Sequence, residues 1–341
     1  MSTAIVAARR APSLLARLRT PRALIVLVLL MWGPLTAYVM FGGALGAARH
    51  HVLLPAIPAA ALLYVVAIGA WRESRVAMIG TTLVFFWLFI AVTAPYLPLL
   101  DPNKPIAPFA LPFTAKNDVF FWLGADFKGR DMLSRTLWGC QRVIVWGVTA
   151  TLVAYVVGTM FGLLAGYLSG WWDELISFFA NVLLSFPVMV LFIVILNYLG
   201  PSGFNIVIAV TFASAPAIMR IVRGLTLDIK TRDYVFAAQT RGESPLYIML
   251  VELLPNARGP IIVDACLRLG YTTVAITTLT FLGLGLQPPD PDWGLMIKEA
   301  APTAVLFKFS YMLIVPALSV SSLILGFNLL ADGLREISLR D

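Results

Sequence analysis

Apolar runs of about twenty residues alternate with short polar breaks along most of this chain. A membrane-spanning helix needs about 20 mainly apolar residues. Eight stretches reach or approach that length: roughly 23–48, 52–71, 76–100, 143–169, 175–199, 204–219, 260–285 and 309–331. The sixth is short and polar-flanked, so it can extend into the turn that follows. The pattern predicts an all-α polytopic membrane protein in three parts. Residues 1–74 hold a basic segment and an accessory hairpin, 75–142 a first core span and an outer loop, and 143–341 a core.

The longest polar break in the second half, 220–259, has a pattern of its own. Tyr234, Ala237, Ala238 and Arg241 fall at i, i+3, i+4 and i+7, one face of a helix. Gly242 stands where a helix C′ residue adopts the left-handed conformation. Ser244 and Pro245 supply the N-cap and first position of a second helix. The expectation is helix, tight turn, helix, outside the membrane. Two alanines would lie on a face where another protein can approach the backbone. A solvated amphipathic loop fits the same local pattern.

Composition agrees with the spans. The chain is 60% hydrophobic and 13% charged, with a mean hydropathy of +0.87, against roughly 45–50% and about 25% for a soluble domain. The net charge of +7 does not point to nucleic acid, because the basic residues sit between apolar spans, as the positive-inside rule describes. Arg9, Arg10, Arg17, Arg19 and Arg22 precede an apolar run too long for a cleaved signal, so it reads as a retained anchor helix. With that end inside and an even number of spans, both termini and the 220–259 loop face the cytoplasm. The outer loop tempers the bias, since its basic residues are mixed with Asp101, Asp118, Asp126 and Asp131. Cys140 and Cys266 fall at different depths, which argues against a disulfide. His50-His51 lacks the further ligands of a metal site.

Several motifs invite chemistry. Gly124 and Gly129 have phosphate-loop spacing, but Arg130 and Asp131 follow where Lys and Ser/Thr are needed, and no strand is expected before them. ATP binding on this chain is rejected; an ATP-driven process would need a separate chain. Gly158, Gly162, Gly166 and Gly170 recur every four residues, a register that lets helices approach closely in lipid. Packing within this chain is the preferred reading, a subunit contact the other. Trp171-Trp172-Asp173 marks a membrane interface, and Pro187 kinks or ends the span around it. Asp264 and Arg268, four apart on a spanning helix, share a face and can pair. Ionisable residues at such depth are costly and usually face a cavity or a partner. The two either line a transport path or form a self-satisfied pair that fixes helix orientation.

Three stretches carry a family resemblance. Ala237, Ala238, Gly242, Leu254 and Pro255 match the spacing of the "EAA" loop of ABC importer permeases, with Phe236 in place of Glu and Glu252 in place of Ile. Leu123, Gly124, Asp126, Gly129, Arg130, Asp131, Ser134 and Arg135 resemble the segment before the core spans in the dipeptide/oligopeptide/nickel permeases, with Ala125 for the usual Thr. Phe281 to Gly294, FLGLGLQPPDPDWG, is similar to the same family's turn after the fifth core span. Ile276 stands where that family tends to have Glu. The resemblance runs from about Arg75 to the C-terminus and leaves the first two spans unaccounted for.

The resemblance implies a six-span ABC-importer permease core, of the second permease type, in a bacterial inner membrane. It implies a homologous permease, two ATPase subunits that hold ATP and Mg²⁺, and an extracytoplasmic binding protein. It implies import of short peptides by alternating access, or of a nickel chelate, glutathione or an opine. It places the coupling helix at Tyr234, Ala237, Ala238, Arg241, Gly242, Leu254 and Pro255, and leaves this chain without a cofactor or covalent chemistry. An ion-coupled carrier is the rival. Its sole candidate proton site, Asp264, has Arg268 beside it, and no internal repeat is visible. A membrane-embedded enzyme lacks any His/Asp/Glu cluster in the spans.

Overall fold

The computed structural model describes residues 64, 74–304 and 307–338. Val66–Pro95 with Leu99–Asp341 makes one compact unit; Met1–Val65 with Tyr96–Pro98 makes another, almost all of it outside the described residues. The accessory hairpin expected over 23–71 therefore lies outside them, residue 64 apart. Among the described residues five helices are long and apolar enough to cross a membrane, six if one bent pair counts as a span. With the bent pair counted, these correspond to the six core spans expected from the sequence; the other two of the expected eight fall outside the described residues.

The first long helix, α1, covers Arg75–Thr93; the Ser74 hydroxyl caps it by accepting the Ala77 N–H at 3.2 Å. The proline-rich segment that follows is not wholly irregular. Thr114–Lys116 (β1) and Val119–Phe121 (β2) pair as a short antiparallel hairpin, although no strand was expected there. Gly124 and Gly129 hold positive φ, +80° and +84°. An added Cβ on Gly124 would lie 2.8 Å from the Ala110 carbonyl oxygen, and on Gly129 2.9 Å from the Pro108 nitrogen. The spacing that mimics a phosphate loop thus serves tight chain crossings.

Helix α2 spans Met132–Leu168, starting eleven residues before the expected 143. The buried Asp131 carboxylate caps it, accepting the Ser134 N–H at 2.8 Å and hydroxyl at 2.7 Å. Burial pushes that carboxyl above its ordinary value, against the lowering effect of the Ser134 bonds. Helices α3 (Gly170–Leu184) and α4 (Val188–Leu199) replace the single span expected over 175–199, and meet at 89°. Pro187 explains the break. It lacks an N–H for a helical bond, and its own backbone is extended at ψ 126°.

Helix α5 runs Gly203–Ile229, ten residues beyond the expected 219. Its extension is polar but satisfied. Arg223 forms a two-pronged pair with Asp173 at 2.5 and 2.6 Å. Lys230, just past the helix, donates to the Gly166 carbonyl and the Ser169 hydroxyl at the end of α2. The glycine stripe packs on this helix. A Cβ on Gly158, Gly162 or Gly166 would come within 2.8 Å of Ile218, Val222 or Thr226 side-chain atoms. The stripe is an internal α2–α5 seam, whereas Gly170, at φ +59°, has nothing near it.

A short helix α6 (Asp233–Thr240) precedes α7, the continuous helix Pro245–Leu282, which contains a π turn at Ile248–Leu253. Then come α8 (Trp293–Ala304), where no helix was expected, and α9 (Tyr311–Ser338). Trp293 is fully buried, donates its Nε1–H to the Thr136 carbonyl at 2.8 Å and meets Trp87 edge-on at 4.9 Å. One large ring thereby ties the turn after α7 to α1 and α2.

Candidate functional site

The element around Gly242 is built as its residues dictate. Arg241 ends α6, and Gly242 adopts φ +81°. The Gly242 N–H donates to the Gln239 carbonyl at 2.9 Å, and the Glu243 N–H donates to the Ala238 carbonyl at 3.2 Å. These are the two bonds of a Schellman cap. Ser244 Oγ then accepts the Tyr247 N–H at 3.3 Å, and Pro245 is the first residue of α7.

The face of α6 differs from the expectation in one respect. Tyr234, Ala237 and Arg241 are exposed, but Ala238 is fully buried. Ala238 packs with Val235 into a cluster that includes Ile229, Ile248, Met249, Leu253 and Ala257. The i, i+4 step turned it toward the bundle, so Ala237 alone of the two alanines is presented. Phe236, Leu246, Tyr247 and Leu250 are exposed around it. Arg241 lies 3.6 Å from Glu252 and 3.7 Å from Glu243, an exposed arrangement worth about 0–1 kcal/mol. Glu252, in place of the resembling family's Ile, is thus turned toward Arg241. Leu254 is half-buried against the Ala238 cluster, and Pro255 is exposed. Pro255 has no N–H to give the preceding turn, consistent with the π turn directly before it. The Asn256 side chain donates to the Glu252 carbonyl at 2.6 Å.

Asp264 and Arg268 are brought together as their spacing predicts, Nε to Oδ2 at 2.7 Å. Sequence reasoning missed the third member, Tyr155 of α2, whose hydroxyl donates to the same Asp264 oxygen. One turn away, Thr151 and Thr272 join the two helices through a 3.1 Å hydroxyl bond. No local signal marks Tyr155, since its partner is 109 residues away. Ile276 is fully buried with Ala150, Ile206 and Val210, a core position with no room for an unpaired carboxylate.

At the other end of the bundle the Leu123–Arg135 motif is an ion-pair cluster. Asp126 accepts from the backbone N–H groups of Lys128 and Arg130, both at 2.9 Å, and from the Arg130 guanidinium at 2.6 Å. Arg130 and Lys128 also hold Glu299 of α8, at 2.6 and 2.8 Å. Burial alone would raise the Glu299 carboxyl, but the bonds and charges of Lys128 and Arg130 outweigh it and hold it below its ordinary value. Asp292, the buried residue before α8, has a raised carboxyl because burial outweighs its bonds from Thr280 and the Leu295 and Gly294 N–H groups. Among the described residues no group of three or more His, Cys, Asp or Glu could hold a metal ion.

Long apolar helices, a buried ion-pair cluster at one end and a capped helix–turn–helix at the other are the build of a multi-pass membrane protein. The chain belongs to the binding-protein-dependent transport system inner membrane component family, whose profile matches residues 158–340. It is a permease subunit of an ABC importer, as the motifs implied. Among its relatives are the glutathione transport system permease proteins GsiD of Shigella flexneri serotype 5b (strain 8401) and of Escherichia coli O157:H7. Each is 36% identical over 277 residues, which cover 78% of this chain and 88% of the relative.

Proposed function

We propose that this chain is the second-type permease of an ATP-driven importer of short peptides, and that the α6–α7 turn couples it to the ATPase. The observation that carries this is the Schellman-closed turn presenting Tyr234, Ala237 and Arg241 beside exposed Phe236, Leu246 and Tyr247. A rigid turn with an apolar collar transmits displacement in a way a solvated loop does not. The partners in this reading are a homologous permease, two ATPase subunits carrying ATP and Mg²⁺, and an extracytoplasmic binding protein. This chain performs no hydrolysis itself. The loop over 220–259 and both termini face the cytoplasm of a bacterial inner-membrane protein, and the parts over 1–74, 75–142 and 143–341 are accessory hairpin, outer-loop segment and core. Leu254 and Pro255 brace the turn, and Ala238 anchors it from inside. Asp264 and Arg268 line the path.

The named relatives support a peptide-sized cargo, since glutathione is itself a tripeptide with two carboxylates. A glutathione, opine or nickel-chelate cargo is the alternative within the family. A Cys placed at Ala237 in native membranes should crosslink to an ATPase subunit, and the product should vanish when Gly242 is also replaced by Val. No ATPase in the product, with the Cys freely labelled, would overturn the coupling role. ATP-driven uptake of labelled dipeptide, glutathione and nickel chelate into the same vesicles sorts the cargo.

A further inference from the structure

Two arginine–aspartate pairs on the long helices are built differently: Arg223–Asp173 joins α5 to α3, while Arg268–Asp264 lies within α7. Arg223 and Asp173 are saturated against each other, Nε and Nη2 each meeting its own oxygen. Arg268 reaches Asp264 through Nε alone, and the Tyr155 hydroxyl donates to that same Oδ2. Among the described residues Arg268 meets no carboxylate other than Asp264, although its guanidinium also meets the Tyr155 hydroxyl, and no hydrogen bond reaches Asp264 Oδ1. Both side chains keep a window to the outside, 16% and 21% exposed. They do so about 21 Å and 27 Å from the Leu282 end of α7 at 1.5 Å per residue, within its apolar length.

A guanidinium held by its Nε edge offers its outer edge as a planar fork for a second carboxylate. The unused Asp264 oxygen offers an acceptor to an ammonium beside it. A pair meant only to orient a helix gains most by saturation, because each unmet charged group in a low-dielectric setting is costly. The surroundings agree: from Ile261 to Leu269 no residue of α7 is fully buried. Tyr155 and Arg268 share Asp264 Oδ2, which joins α2 to the pair and leaves Oδ1 uncommitted.

Resting on the short-peptide reading, we propose that Arg268 and Asp264 form a receptor for a zwitterion within the membrane: the Arg268 fork takes the cargo's free carboxylate and Asp264 Oδ1 takes its free ammonium. The preferred cargo is then a peptide with both ends uncapped.

The test uses the full complex in native membrane vesicles, with dialanine, dialanine amide and N-acetyl-dialanine as labelled probes. Wild type should favour dialanine over either capped form. Arg268→Lys keeps the charge and loses the fork, so it should collapse the dialanine-to-amide ratio by about tenfold, the scale of one charged hydrogen bond. Asp264→Asn should instead collapse the dialanine-to-acetyl ratio. The binding protein is common to every sample, so a changed ratio reports on this chain. Ratios within twofold of wild type for both variants overturn the proposal while leaving peptide transport standing. Failure of both variants to co-purify with the partner subunits also overturns it, by making the pair purely structural. Wild-type vesicles that take up no peptide refute the short-peptide reading itself, and with it this receptor.

Discussion

The Glu243 N–H donates to the Ala238 carbonyl at 3.2 Å, bridging over Gly242 at φ +81°. That bond closes the turn only while residue 242 stays left-handed. Nothing lies within 4 Å of a Cβ added there, so a side chain acts through the backbone alone. Gly242→Val should cost about 1–2 kcal/mol locally. Membrane yield should be unchanged while ATP-driven uptake falls sharply. Uptake at the wild-type rate would remove the turn from coupling.

Ala237 and Ala238 are adjacent, yet one is exposed and the other fully buried. Ala237→Cys should react with a membrane-impermeant maleimide in inside-out vesicles. Ala238→Cys, fully buried against Ile248 and Leu253, should react at least tenfold more slowly until detergent or heat opens the cluster. Equal rates would show that α6 is not seated on the bundle as described.

Two glycines of the same helix pair should respond in opposite senses. A Cβ on Gly162 would lie 2.7 Å from Val222 Cβ, while one on Gly224 meets nothing. Gly162→Ala should destabilise by about 1–3 kcal/mol through overpacking. Gly224→Ala should be neutral or stabilise by about 0.4–1 kcal/mol. Thermal unfolding in detergent reads both, and similar shifts would count against the seam.

Glu299 fastens α8 to the loop through Lys128 and Arg130. Its carboxyl lies below its ordinary value of 4.5. Its contribution is therefore full above that ordinary value and is lost as pH falls through the lowered one. At pH 7 Glu299→Gln should weaken the attachment by about 1–3 kcal/mol, visible as faster hydrogen exchange over residues 126–131. The difference from wild type should vanish under strong acid. A difference that grows on acidification would contradict the sign.

What the sequence revealed, and what it hid, divides by distance along the chain. Gly242, Ser244 and Pro245 act on their own neighbours, and their turn was legible residue by residue. So was the pairing of Asp264 with Arg268, one helical turn apart. The extension of α5 past residue 219 was not legible, because Arg223 looks like the end of a span until Asp173, fifty residues earlier, is seen to neutralise it. Helix α8 was hidden behind the prolines that precede it. The inward turn of Ala238 could not be read either, since both alanines fit an amphipathic face and only Ile248 and Leu253 decide which is covered. Tyr155 and Glu299 carry no local mark at all, having partners 109 and about 170 residues away.

The close meshing of Gly158, Gly162 and Gly166 with Ile218, Val222 and Thr226 has a mechanical corollary. Helices locked at three successive turns cannot slide past one another by a residue without driving methyl groups into backbone. Together α2 and α5 make a stiff double beam, closed near one tip by Lys230, just past α5, on the Gly166 carbonyl of α2, and braced there by Arg223 of α5 on Asp173 of α3. Flexure during a transport stroke then falls to other joints, the α3–α4 elbow and the π turn at the root of α7. Leverage on the α6 end would arrive at the far mouth of the beam almost undiminished.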